Sequence, residues 1–413
     1  MILAGCLARN FLCTEYMQHY PEVTASWIRI VCLSIILLRG GMELDFAGKG
    51  LTVVLLTICP QFSEAIASAV ASRYIFNMPW ALCFAQGFTL GAVSPAVVVP
   101  SLMILHKAEY GVVKGIPTTL IAAASFDDII AITVFSVFLS VGMNGAPRAD
   151  VDPLLVEEPP LVDETTGDSL RFLSGGSGKE PLPIWMEIGF NVIQFIFGLC
   201  IAFGVGALMG CCNKFPAKAT KWPKFIFCLF MGISIPIACD LGGIPETKFV
   251  AIIFFGYMCF RKWKEDKPEH ELAIFWMFCQ PFLFGTVGAA VLFDKIAPSI
   301  VGRSFGTILI GVTARWLGTF MAAFEKKYTY RERAFMAFAW IPKATVQAAL
   351  GGVMLMRAQA EGLTDDYLEW GQAMLTTAVF SICITAPLGA IFINTLGTKW
   401  LKYDGDLDMN ADD

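Results

Sequence analysis

Long apolar runs separated by short charged connections occupy most of this chain. Runs bounded by charge give about twelve segments, near 1–13, 24–40, 50–72, 80–105, 112–143, 184–212, 224–240, 246–260, 271–294, 299–324, 332–357 and 369–398. A helix rises about 1.5 Å per residue, so about 20 apolar residues cross a bilayer core. The pattern therefore predicts a bundle of membrane-spanning helices. The first run, MILAGCLARN, lacks a signal-peptide pattern and reads as the tail of a helix whose beginning is missing. Two runs carry helix breakers at their centres. One is 80–105, with Gly91-Ala-Val-Ser94-Pro95 and Pro100; the other is 332–357, with Trp340-Ile-Pro342-Lys343-Ala-Thr345. Proline removes a backbone donor and clashes with the preceding turn. In a bilayer the freed groups must be buried in protein or face a water-filled cavity. One such break in each half of the chain is the pattern of an inverted-repeat transporter. The expected fold is thus all-α and polytopic, about twelve transmembrane helices with two broken crossing helices.

Charges inside the apolar runs are few. Asp127 and Asp128 stand alone between Lys114 and Arg148, at the middle of the run Gly115–Gly142. Glu64 is the only charge between Lys49 and Arg73. Arg315 stands alone between Arg303 and Glu325, and Lys343 between Arg333 and Arg357. One midplane carboxylate costs roughly 2.5–3.5 kcal/mol on insertion scales, and such groups usually mark an ion or proton path. The plainer reading is structural: Glu64 and Arg315 are expected to pair with each other or with Asp127, and Lys343 can serve only packing. Three acids against two bases nevertheless leave one surplus negative charge, which suits a monovalent cation or a proton. His106, beside Lys107, reads as interfacial.

Composition agrees with this reading and excludes others. The chain has 413 residues, 56% hydrophobic and 16% charged, where soluble domains carry about 25% charged residues. The net charge of −5 arises from one loop and the C-terminal tail, so nucleic acid is not an expected partner. The 13 cysteines are scattered through apolar runs with no C-x-x-C pair, so neither a disulfide framework nor a zinc site is indicated. No cofactor is expected. Lysine and arginine fall in alternate connections: Lys214–Lys224, Arg261–Lys267, Lys326–Arg333, the Lys107 and Lys114 flanks, and Lys399 with Lys402. The positive-inside rule makes these connections and both termini cytoplasmic. The organisation expected is a membrane half over 1–143, a disordered acidic extracytoplasmic loop over 144–181, a second membrane half over 182–403, and an acidic tail over 404–413.

With these residues in hand, the chain resembles the cation/proton antiporter superfamily in its double-aspartate branch, and within it the animal-type sodium/proton antiporters of solute carrier 9, subfamily B. The segments that carry the likeness are LSIILLRGGMELD (33–45), FTLGAVSPAVVVPSLMIL (88–105), YGVVKGIPTTLIAAASFDDIIAIT (110–133), QPFLFGTVGAAV (280–291) and AFAWIPKATVQAALGGV (337–353). The resemblance implies an inverted-repeat sodium/proton antiporter fold and a homodimer. It implies that Asp128 is the main ion-binding carboxylate, that Asp127 is its partner, and that Arg315 stands where bacterial relatives place a lysine. It also implies that Glu64 can pair with Arg315. Close relatives have a carboxylate at the position of Ala290 that partners the lysine matching Lys343; here Asp294, one helical turn on, is the expected substitute.

The function expected is exchange of sodium or lithium for protons by alternating access at the aspartate pair. Hard monovalent cations take oxygen ligands, and Ser94, Thr118, Ser125 and carbonyls freed at the breaks are candidates. An arginine keeps its proton at physiological pH, so Arg315 can hold a carboxylate but carries no proton. That favours one sodium for one proton, without net charge movement. The plasma membrane is the expected location, with an organellar membrane as the alternative. Three other readings stay open: a sodium-coupled organic-anion symporter on the same architecture, a potassium/proton antiporter, and a cation channel or sensor. Adjacent acids argue against an anionic substrate, and paired helix breaks argue against a channel ring.

Overall fold

The computed structural model describes residues 1–12, 22–43, 51–144, 146–147, 184–211, 221–242, 244, 247–289 and 298–404. In chain order the helices are α1 (Ile2–Leu7), continued by a π-turn at Ala8–Leu12, α2 (Glu22–Glu43), α3 (Leu51–Phe76), α4 (Trp80–Gly91), α5 (Pro95–Lys107), α6 (Ile116–Met143), α7 (Ile184–Cys211), α8 (Lys221–Leu241), α9 (Thr247–Trp263), α10 (Glu269–Ala289), α11 (Pro298–Ala322), α12 (Tyr330–Ala339), α13 (Thr345–Leu350), α14 (Val353–Glu361) and α15 (Asp365–Trp400). Among the described residues, seven segments are long and apolar enough to cross a membrane: Leu51–Phe76, Trp80–Lys107, Ile116–Met143, Lys221–Leu241, His270–Ala289, Ser299–Ala322 and Asp365–Trp400.

Both expected interruptions are present as breaks in helical structure. Between α4 and α5, Ala92 and Ser94 are extended, and Pro95 opens α5, where its missing N–H costs nothing. Between α12 and α13, residues 340–344 leave the helix. A further interruption at Gly351-Gly352 separates α13 from α14, so the run expected at 332–357 comprises three helical pieces rather than two. The run expected from 112 begins as helix only at Ile116. Gly111 and Gly115 have positive φ there, and the peptide N–H of Ile116 turns back to the Gly111 carbonyl.

The chain divides into two compact units. One comprises Met1–Glu43, Ser136–Ala297 and Gly352–Leu375; the other comprises Leu44–Phe135, Pro298–Gly351 and Thr376–Asp413. Each draws on both sequence halves. In the first unit the connection after α8 is spanned by a buried ion pair, Lys248 Nζ to Asp240 Oδ1 at 2.8 Å. The loop from 148 to 181, the tail beyond 404 and Asp294 lie outside the described residues.

The second unit is a tight bundle of small-residue contacts. Serine and alanine on one face of α3 admit close neighbours. A Cβ on Gly87 would collide with the Ala65 backbone carbonyl, and one on Gly311 with the Ser68 hydroxyl. Apolar helices in lipid gain little from burial against one another, so close backbone approach of this kind supplies the association energy. Toward the connection between α5 and α6, an apolar core of Val53, Leu56, Leu102, Leu105, Leu120, Phe335 and Trp340 fills the space. Helix α12 starts at a capping box, Thr329 with Glu332, and Glu332 also takes Lys114 at 2.7 Å. That pair ties the connection before α6 to the start of α12.

Candidate functional site

Four of the five sequence-flagged charges share one buried network inside the second unit. Arg315, on α11, is fully buried and uses every edge of its guanidinium. Its Nη1 donates to Glu64 Oε2 at 3.0 Å and to the Gly91 carbonyl, its Nη2 to Asp127 Oδ2 at 3.0 Å, and its Nε to the Trp340 carbonyl. A planar fork with fixed donors can do this where a flexible ammonium could not. Lys343 Nζ donates to Glu64 Oε2 at 2.7 Å and to the Leu90 carbonyl. Asp127 Oδ2 also accepts the Val93 peptide N–H at 2.7 Å.

The helix breaks explain why these charges can be buried. The last carbonyls of α4 lack helical partners, and leaving them bare in a dry interior costs several kcal/mol each. Lys343 and Arg315 take two of them, at the partially negative end of the helix dipole. The peptide N–H of Val93, on the approach to α5, meets the opposite charge, Asp127. The two breaks are also joined directly by the Ser94 N–H, which donates to the Pro342 carbonyl at 2.9 Å, while the Lys343 N–H ties the second break to α15 through Thr385 Oγ1 at 3.0 Å.

Asp128 stands apart. It is 7% exposed, its Oδ1 accepts no hydrogen bond, and among the described residues it enters no ion pair. The site thus holds three carboxylates against two fixed cations, with Asp128 the one that, among the described residues, neither cation pairs with directly. Ser94 Oγ and Thr345 Oγ1 are likewise buried and, among the described residues, without hydrogen-bond partners. The Ser125 side chain lies outside the described residues. One expectation changes here. Thr118 is not brought to the cluster: it is exposed in the first turn of α6, with its hydroxyl on the Gly115 carbonyl. Ten residues of helix put it about 15 Å along the axis from Asp128. Lys343 pairs with Glu64, and Asp294, the partner expected for it, lies outside the described residues.

Two neutral side chains that the sequence reading passed over complete the network. Gln347 Nε2 donates to the carbonyls of Thr89 at 2.9 Å and Ala92 at 2.8 Å. Gln61, in the amide orientation that satisfies both its ends, donates to Asp127 Oδ1 at 3.2 Å and to the Gly91 carbonyl. Each lies within four residues of a flagged charge, Lys343 and Glu64 respectively. A charge-based reading of the sequence has no means of selecting them.

Comparison with known proteins accords with this geometry. The family model described as sodium/hydrogen exchanger, transmembrane, matches residues 1–400. The chain belongs to that family. It is 34% identical to human sodium/hydrogen exchanger 9B2 over 97% of this chain and 69% of that protein. It is also 34% identical to human sodium/hydrogen exchanger 9B1, over 98% of this chain and 72% of that one. Among solved structures it resembles the sodium proton antiporter MjNhaP1 of Methanocaldococcus jannaschii at pH 8. That match has a TM-score of 0.64 and 19% identity, and covers 97% of this chain and 91% of that one. At that identity the likeness speaks for the fold. As a member of this exchanger family the chain is a multi-pass membrane transporter, not an enzyme.

Proposed function

We propose that this antiporter exchanges a monovalent cation, sodium or lithium, for a proton at Asp128. Asp127 is the neighbouring carboxylate, and Ser94 and Ser125 are candidate oxygen ligands. The observation that carries the reading is the contrast between adjacent aspartates: Asp127 is engaged on both oxygens by Arg315, Val93 and Gln61, while Asp128 Oδ1 is buried and unused. A buried carboxylate without a fixed counter-charge must take up a positive charge. A proton and a metal ion compete for that place, and such competition is what antiport requires. The names of the 9B relatives support sodium and proton as the exchanged pair.

Further features belong to the same proposal. The interruptions at 92–94 and 340–344 act as two broken helices crossing near the membrane midplane, within a twelve-span inverted repeat made of 1–143 and 182–403. Alternating access moves the unit that carries Asp128. The protein works as a homodimer in the plasma membrane with both termini cytoplasmic, as the basic connections favour. Arg315 remains charged throughout the cycle, so one cation replaces one proton.

The test is reconstitution of the full chain in proteoliposomes with an imposed proton gradient. Addition of sodium or lithium should collapse the gradient for the wild type and not for Asp128→Asn. A wild type that ignores both cations, or an Asp128→Asn variant with normal exchange, would overturn the assignment. A clamped membrane potential should leave the sodium reversal point unmoved if the exchange is one for one.

A further inference from the structure

The end of α4 is held by two kinds of donor, and only one of them is tied to the carboxylates. Arg315 and Lys343 each bind an α4 carbonyl and a carboxylate together, Arg315 through Gly91 with Glu64 and Asp127, Lys343 through Leu90 with Glu64. Any change of charge on Glu64 or the aspartates therefore pulls on the same donors that cap the break. Gln347 is different. Its amide is 1% exposed and neutral, and it spans the final turn of α4 from Thr89 to Ala92, with a weaker reach to Leu90 at 3.5 Å. It sits four residues after Lys343, in the first turn of α13, the helix that follows the second break. Ala92 adjoins Val93, whose N–H donates to Asp127.

We propose that Gln347 is a positioning residue for cation exchange: a charge-independent latch that fixes the α4–α5 break against α13, so that the Val93 donor and the aspartate pair keep their geometry while charges in the network change. The inference rests on the functional reading above. The amide is suited to the task because its two N–H groups donate to carbonyls whatever the proton or cation occupancy nearby. An ammonium or guanidinium in its place would be drawn toward whichever carboxylate was bare.

The experiment uses the full chain in proteoliposomes, with sodium-driven proton movement measured across pH for the wild type, Gln347→Leu and Gln347→Glu, and thermal stability measured on each purified protein. Gln347→Leu should raise the half-saturating sodium concentration by about fivefold to tenfold, the effect of losing about one buried hydrogen bond, while the maximal rate per folded protein changes by less than about twofold. Gln347→Glu has the same shape but can donate only when protonated. Its half-saturating sodium concentration should approach the wild-type value at acid pH and rise toward that of Gln347→Leu as pH increases. The pH-dependent rescue distinguishes positioning from mere support of the fold, which would lower the amount of active protein at every pH alike. The latch is overturned if Gln347→Leu keeps the wild-type half-saturating concentration. It is equally overturned if both variants lose only maximal rate, in proportion to lost stability. A wild type without sodium-driven proton movement would instead overturn the parent reading.

Discussion

Each compact unit of this protein buries a set of opposite charges, and the two sets are built differently. In the first unit, Asp240 and Lys248 form one pair, 2.8 Å apart, near the facing ends of α8 and α9. Acid and base balance within that pair. In the second unit, Glu64, Asp127 and Asp128 stand against Arg315 and Lys343, mid-helix or at helix breaks, with one negative charge in excess. A balanced pair can be a fastener and nothing more. An unbalanced cluster has to borrow a positive charge from outside, and in a transporter that borrowed charge can be the cargo. Neither burial nor an unused carboxylate oxygen separates the two cases, since Asp240 Oδ2, like Asp128 Oδ1, is buried without a hydrogen-bond partner among the described residues; the charge count and the lack of an ion pair to Asp128 among those residues do.

The largest effect should come from Asp128→Asn. Removing the surplus charge should abolish cation-driven proton movement while the protein still inserts and folds, as read by the proteoliposome assay and by thermal melting. The matching change in the first unit, Asp240→Asn, should leave exchange in place on every molecule that folds. If Asp240→Asn also removed exchange from folded protein, the contrast between the two sets would collapse.

Next in size are Glu64→Gln and Arg315→Gln. Each strands a buried charge, a loss of about 3–5 kcal/mol in comparable cases. Because Glu64 Oε2 accepts from both Arg315 and Lys343, the double variant should lose clearly less than the sum of the singles in thermal or denaturant unfolding. Additive losses would mean that the two residues do not act together.

Gly87→Ala should be milder, about 1–3 kcal/mol, because the new methyl meets the Ala65 backbone carbonyl and α4 must move off α3. Displacing α4 also shifts Leu90 and Gly91, which Lys343 and Arg315 hold, so reduced cation affinity should accompany the lower melting temperature. Unchanged affinity would show that the cluster tolerates movement of its scaffold.

The smallest effect is expected where the first unit loses its whole pair. Replacing Asp240 and Lys248 together by leucine removes both charges at once, and such replacements are often neutral within about 1 kcal/mol or stabilising. Either single substitution should be the more damaging, and melting temperatures of the three variants measure the difference. A double variant as unstable as the singles would give the pair a role beyond fastening.

Much of the second unit's chemistry was legible in the chain itself. A carboxylate, arginine or lysine in the middle of an apolar run is costly, so Glu64, Asp127, Asp128, Arg315 and Lys343 stood out on cost alone. The breaks were legible in the Gly91-to-Pro95 and Pro342-to-Thr345 stretches, although proline alone is not a sufficient signal: Pro60, Pro100, Pro236, Pro281 and Pro387 all lie inside continuous helices. The Asp240–Lys248 pair was not, because each residue falls at the edge of an apolar run, where a charge normally meets water. Thr118 offers a hydroxyl on the same apolar run as the aspartates, but helix rise carries it about 15 Å along the axis from Asp128. Gln347 and Gln61 carry no charge and sit among apolar residues, so no rule of composition or period selects them.

The sequence by itself determined that this is a polytopic helical membrane protein, where two of its apolar runs break and which ionisable groups lie at mid-run, because apolar length, breaker residues and mid-run charge act locally along the chain. Only the tertiary structure decided which charges meet. Glu64 and Arg315 lie 251 residues apart, and Glu64 and Lys343 lie 279 apart. The partners that complete the site are largely backbone groups, the Leu90, Gly91 and Trp340 carbonyls and the Val93 N–H. Every residue carries such groups, so side-chain identity cannot reveal them. They become donors and acceptors for charge only where a helix ends inside the bundle and another helix brings an arginine, a lysine or an aspartate to the exposed end.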